Sequence, residues 1–341
     1  MQPIEGFLIE SIESIIFDVK GLVHPLDKIV AFPRFIPDAK GHRKLGIRKY
    51  EKVYSLSERF VFLEKNFPEY LVYDPVFDEK ICEVSLNKVK RVYNPISFLE
   101  KLRKKRNLDE LESAALHCVE ILKERANVPW CKIGVSGSVL ASLHTATSDI
   151  DPIVYGVENC RKVHETLKTL LKEKDTPFQS YSLEDLRKLF DFRSRDTFMN
   201  FEDFIMVESR KSFQGKFMGR DFFIRFVKDF DEIDERYGDV HYKNCGYAKI
   251  EALVVDDSEA IFTPCTYKIE AVKIIEGPKL QPINEIVSFR GRFCEQARKS
   301  ETIVAQGKIE HVTDCRSNSE HFRLLIGNRP SDFMVLKRLN S

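Results

Sequence analysis

GVSGSVLASLHTATSDIDPIVYG, residues 134–156, is the stretch on which the reading of this 341-residue chain turns. The apolar run before it, CKIGV, predicts a short strand that Gly137-Ser138 closes, and small residues then open a helix. Ten residues later Asp149-Ile150-Asp151 begins the next strand. Gly137 lets a phosphate approach the backbone, and Ser138 offers a hydroxyl and an N–H at a helix start, where the dipole favours anions. Asp149 and Asp151 stand at i and i+2, so on a strand they share a face. Two carboxylates so close repel unless divalent cations sit between them, the arrangement of two-metal phosphoryl transfer. The plain structural alternative is a helix cap followed by two exposed turn aspartates.

A strand, Gly-Ser, about ten residues and then Asp-x-Asp resembles the signature of the DNA polymerase β-like nucleotidyltransferase superfamily. More loosely, the whole chain looks like an uncharacterised group of archaeal predicted nucleotidyltransferases. The resemblance implies an α+β fold whose mixed sheet with helices binds a nucleoside triphosphate (NTP). In that reading Gly137 and Ser138 hold the β- and γ-phosphates, and Asp149 and Asp151 ligate Mg²⁺ or Mn²⁺. A nucleoside monophosphate then passes to a hydroxyl or phosphate acceptor, RNA or tRNA among the candidates, and pyrophosphate leaves.

The superfamily needs a third carboxylate on a neighbouring strand. Asp221, at the start of RDFFIRFV with Arg225 on the same face, is the first choice, and Glu251 in AKIEALV is the runner-up. If neither reaches the pair, the chain reads instead as a non-catalytic nucleotide or nucleic-acid binder on a degenerate domain. Pro152 directly follows the second aspartate and lacks a ladder donor, which predicts an edge or bulged strand there.

Working outward, the texture divides the chain into three. Residues 1–108 read as an N-terminal α+β domain, with strands in IESIIFDV and KIVAFPRFI and a helix at 56–66. Ser55 with Glu58 makes a capping box for that helix, and ISFLEKLRKKRN reads as a short basic one. Residues 109–235 hold the motif domain. They open on a helix whose stripe is Leu111, Ala114, Ala115, Cys118, Val119 and Leu122. They close on a hairpin turning near Gly219. Residues 236–341 are nearly all strand, predicting a small barrel or sandwich.

Composition narrows the classes. Apolar residues make up 43% and charged residues 31%, with 26 Phe, so the chain has cores and is not disordered. The 54 Lys+Arg against 53 Asp+Glu leave +1, which argues against binding by net charge but leaves local basic patches open. Eight scattered cysteines without a CxxC give no support for zinc. Glu5, Glu10 and Glu13 interrupt the N-terminal apolar residues, and no run reaches membrane-span length, so a cytoplasmic protein is expected. Five cations at 101–106 and the sequence SFRGRF at 288–293 offer backbone contacts and stacking for RNA. Both also fit an ordinary solvated helix end and an alternating strand.

Overall fold

Residues 3–195 and 197–338 are described by the computed structural model. They form two compact units: Met1–Val72 with Cys82–Tyr181 and Ser212–Asp234, and Tyr73–Ile81 with Ser182–Lys211 and Glu235–Ser341.

The first unit opens with β1 (Leu8–Ser11), β2 (Ile16–Val19), β3 (Lys28–Pro37), β4 (Arg43–Leu45) and β5 (Arg48–Lys52), followed by α1 (Leu56–Asn66). The capping box at α1 forms as read: Ser55 Oγ accepts from the Glu58 N–H at 3.2 Å, and the Glu58 carboxylate accepts from the Ser55 N–H. Then come β6 (Leu71–Asp74) and β7 (Glu79–Ser85), of which the stretch Tyr73–Ile81 counts with the second unit, and then β8 (Val89–Tyr93) and α2 (Pro95–Lys104). Antiparallel pairing gives the order β4-β5-β3-β2-β1-β8, with β7 on β3 and β6 on β7.

The chain continues through α3 (Glu110–Arg125), β9 (Ile133–Val135), α4 (Gly137–Leu140), β10 (Pro152–Tyr155), α5 (Val157–Leu170) and β11 (Phe178–Gln179). The apolar stripe read for α3 is its buried face. After α6 (Leu183–Arg193) and α7 (Phe201–Glu208), both in the second unit, the first unit resumes. There β12 (Gln214–Phe217) and β13 (Arg220–Phe223) make the expected hairpin, with Met218 and Gly219 at positive φ in its two-residue turn. The strand predicted as one piece breaks at Ile224, and β14 (Arg225–Val227) joins a different sheet.

That sheet is mixed: β10 pairs antiparallel with β9 and parallel with β14. Pro152 is therefore not on an edge strand. It is the first residue of a central strand, a position where a missing donor is tolerated. The core runs without a break across residue 108: Ile153, Tyr155 and Val227 pack in one cluster with Ile4, Phe7, Ile9 and Phe17. Changes of texture mark where elements change type, not which elements share a core.

The second unit is built on β15 (Val240–Asp256), β16 (Cys265–Glu276), β17 (Ile283–Ser288), β18 (Thr302–Asp314), β19 (Ser319–Leu325) and β20 (Phe333–Leu336). Pairings β15-β16-β17-β19-β18 close on themselves because β18 also pairs with β15, and β17 with β19 is parallel. The expected barrel is thus a closed five-stranded one, with β20 added along the start of β18. Its interior holds Ile250, Ala252, Val254, Tyr267, Ile286, Ile309 and Leu324, all buried.

Candidate functional site

The turn from β9 into α4 places Gly137 at φ +63, a conformation that favours glycine. A Cβ there would lie 1.8 Å from Asp151 Oδ2 and 2.6 Å from its Cγ. The glycine is thus required by backbone angle and by the carboxylate packed against it. The Asp151 carbonyl accepts from the Ser136 N–H at 2.8 Å, which fixes the turn to the strand. Ser138 is 2% exposed, and its hydroxyl has no hydrogen-bond partner. An orphaned buried hydroxyl costs free energy, so it marks a place where a ligand can bond. The helix it opens is a single turn, so little of the dipole foreseen at Ser138 is present.

The loop between the glycine and the aspartates is held from the N-terminal sheet. Leu140, Ala141 and Leu143 pack with Leu8, Ile16, Phe35 and Tyr50. Arg43 Nη1 donates to the Leu143 carbonyl and lies 3.4 Å from Ser148 Oγ. His144 is bound to Asp109 Oδ2 at 2.7 Å, the residue that caps α3.

Asp149 and Asp151 are partly buried on the segment leading into β10. Burial and the neighbouring Asp149 charge push the Asp151 carboxyl up to about 7, with Lys52, Arg34 and Arg225 opposing. The Asp149 charge thus disfavours the ionised form of Asp151. The two carboxylates and the Ser138 hydroxyl are oxygen donors, the ligand type that hard divalent cations take.

The two candidates for the third acid lie on different units. Ile150 makes a parallel bridge to Phe222, its N–H donating to the Asp221 carbonyl at 2.9 Å. That register sets Asp221 alongside Asp149 and Phe223 alongside Asp151. The Asp221 carboxylate is exposed and paired with Lys216 at 3.0 Å. Glu251 lies on β15 in the second unit, paired with Lys337 at 2.7 Å. Among the described residues no three acids, histidines or cysteines gather as a metal-binding group.

The next place along the adjacent strand belongs to Arg225, opposite Ile153. Its guanidinium is held by Glu5 at 2.8 Å and approached by Asp18 at 3.6 Å. Burial would raise the Asp18 carboxyl, but Lys20, Arg225 and Arg34 outweigh it and hold it well below the carboxylate range. Glu5 is fully buried, bonded also to Lys20 and to the Gly21 N–H.

Sequence reasoning missed Lys52, Arg34 and Arg43. Lys52 ends β5 and is 8% exposed. Burial and Arg34 push its ammonium down to about 8, while Asp149 and Asp151 oppose that shift. Long-range strand pairing delivers these cations, and no local spacing announces it. The two basic clusters noted in sequence have structural partners: Lys105 binds Glu112, Arg103 lies 3.7 Å from the Trp130 ring centre, and Arg292 binds Thr197.

Compared with known proteins, the chain is 33% identical over 333 residues to "Uncharacterized protein MJ1086" of Methanocaldococcus jannaschii, an alignment covering 95% of each. No family model matches the chain. No solved structure matches it either.

Proposed function

The chain belongs to the family of the Methanocaldococcus jannaschii protein MJ1086, and on the geometry of its motif we propose that residues 137–151 form the centre of a metal-dependent nucleotidyltransferase. One observation carries this reading: the Asp151 carboxylate packs where a Cβ on Gly137 would lie, next in sequence to Ser138, whose buried hydroxyl has no partner. Asp149 and Asp151 would hold Mg²⁺ or Mn²⁺, and Ser138 would donate to a phosphate oxygen of the NTP. A divalent cation bound there neutralises phosphate charge and acidifies an acceptor hydroxyl. In the reaction the acceptor hydroxyl would lose its proton to solvent as its oxygen bonds to the α-phosphorus. The bond from that phosphorus to the oxygen bridging the α- and β-phosphates breaks, and pyrophosphate leaves with the electron pair. Asp221 is the third acid in this reading. Its register beside Asp149 supports the role, and taking it up requires release from Lys216.

RNA or tRNA is the acceptor this reading favours. The barrel's closed strand order, first-second-third-fifth-fourth, with the third and fifth parallel, is that of OB-fold barrels, which bind oligonucleotides. The reaction is proposed for the cytoplasm; no described helix is long and apolar enough to cross a membrane.

A second reading rests on its own observation. Phe223 and Arg225 fill the strand positions next to Asp151 and Ile153, where an acid would complete the site, and that favours a nucleotide binder without transfer. Incubation of the purified chain with labelled NTPs, Mg²⁺ or Mn²⁺, and RNA or small hydroxyl acceptors separates the two. Transfer predicts nucleotide incorporation with pyrophosphate release, lost in Asp149→Asn/Asp151→Asn. Metal-dependent NTP binding without incorporation leaves the binder.

A further inference from the structure

The four cations near the motif are not equally committed. Arg225 is taken up by Glu5 and Asp18, and Arg43 by the Leu143 carbonyl and Ser148. Among the described residues, Lys52 and Arg34 have no carboxylate within ion-pair distance. What they share is the ring of Tyr54, with Lys52 Nζ 4.9 Å and the Arg34 guanidinium carbon 5.8 Å from its centre.

Their placement is specific. The β2–β3 register runs Phe17↔Pro33 and then Ile16↔Phe35, so Arg34 is the extra residue of a β-bulge. Bulges re-aim a side chain, and they collect next to active sites. Lys52 pairs with Phe35 immediately beyond the bulge. Burying an ammonium costs free energy unless an opposite charge faces it. Phe35, the strand partner of Lys52, and Tyr50, two residues before it, pack against Leu140, Ala141 and Leu143 of the motif loop. The charges that act on Lys52 are Asp149 and Asp151 in its favour and Arg34 and Arg43 against it. The acid pair offsets at most two of the three charges of Lys52, Arg34 and Arg43, so a positive field is left over without metal, and a divalent cation on the acids would enlarge it. A second anion is then needed to complete the site.

We propose that Lys52 and Arg34 of the N-terminal sheet form a polyphosphate subsite that receives the terminal phosphates of the nucleotide held at Gly137, Ser138, Asp149 and Asp151. The sheet is then half of the binding site, not an appendage to the motif. This rests on the nucleotide reading of the same site, and the test separates the two.

The probe is inorganic tripolyphosphate, titrated calorimetrically into the full chain in chelator at low salt. NTP, the matching nucleoside and a single-stranded RNA oligonucleotide are run in parallel. Lys52→Met and Arg34→Met should each weaken tripolyphosphate about tenfold or more, the range of a charged hydrogen bond. Lys52→Arg should recover most of the loss, and the nucleoside should be indifferent to all three. Asp149→Asn should hold or tighten tripolyphosphate, since it removes a repelling charge. That result stands even if the chain transfers nothing, so failure of transfer leaves the subsite intact. Wild-type binding of tripolyphosphate by folded Arg34→Met and Lys52→Met would overturn the subsite, as would no binding by the wild type. It would be overturned equally if both variants lost only the RNA oligonucleotide. Should Lys52→Met fail to fold, the partly exposed Arg34 carries the test alone.

Discussion

Gly137 and Asp151 occupy each other's space so closely that neither can change freely. Gly137→Ala forces a side chain into left-handed backbone and against a carboxylate. We expect a loss of about 1–2 kcal/mol in stability from the backbone alone, with metal-dependent nucleotide binding abolished, read by chemical denaturation and by calorimetry. The acid pair behaves in the opposite sense. Asp151→Asn removes a like charge, so in metal-free buffer its thermal midpoint should rise or hold while cation-dependent binding falls. A lower midpoint would mean that the carboxylate is there for structure. His24 gives a pH dependence away from the site. Its Nε2 lies 2.8 Å from the Pro3 carbonyl, its Nδ1 accepts from the Val30 N–H, and burial pushes the imidazole from 6.5 down to about 4. The fold needs the neutral ring, so between pH 6.5 and 4 the unfolded chain takes up a proton that the folded chain refuses. Stability should fall over that window as pH drops, by up to about 3 kcal/mol. A His24→Gln variant should lose that slope in denaturation curves taken at stepped pH.

At the scale of elements, caps and stripes were legible because their signals are local. The Ser55/Glu58 box, the apolar face of α3 and the turn at Gly219 all form where the spacing placed them. The bulge that aims Arg34 and the pairing that brings Lys52 beside Phe35 are set between strands distant in sequence, and nothing within either segment encodes them. The break at Ile224 was hidden for a related reason. RDFFIRFV has strand composition throughout, and only the sheets on either side decide that it serves two of them. Asp109 joins local and distant roles, accepting from the Glu112 N–H at 2.9 Å as the α3 cap and holding His144 of the motif loop. Asp109→Ala should cost about 1 kcal/mol from the cap. Hydrogen exchange should show faster opening at both the start of α3 and the 144–148 loop. Protection unchanged in the loop would mean that the His144 contact contributes nothing.

For the whole molecule, the decisive feature is a core that ignores the changes in sequence texture. Ile153, Tyr155 and Val227 of the motif region are buried against Ile4, Phe7, Ile9 and Phe17. A fragment of residues 109–235 would expose that face, so we expect it to lack a cooperative thermal transition that the full chain shows. A sharp transition in the fragment would contradict the shared core. Net charge near zero likewise hides its organisation: acids at 149 and 151 face cations from residues 34 and 52, cancelling in the sum while setting up a field at one place. The account's central claim is that this place holds a cation and a nucleotide together. Its most direct test is the affinity of the full chain for a non-hydrolysable NTP, measured by calorimetry with and without Mg²⁺ or Mn²⁺. The account predicts binding strengthened at least about tenfold by the cation in the wild type, with that gain absent in Asp149→Asn/Asp151→Asn. Equal affinity with and without cation, or an equal gain in the double variant, would contradict it.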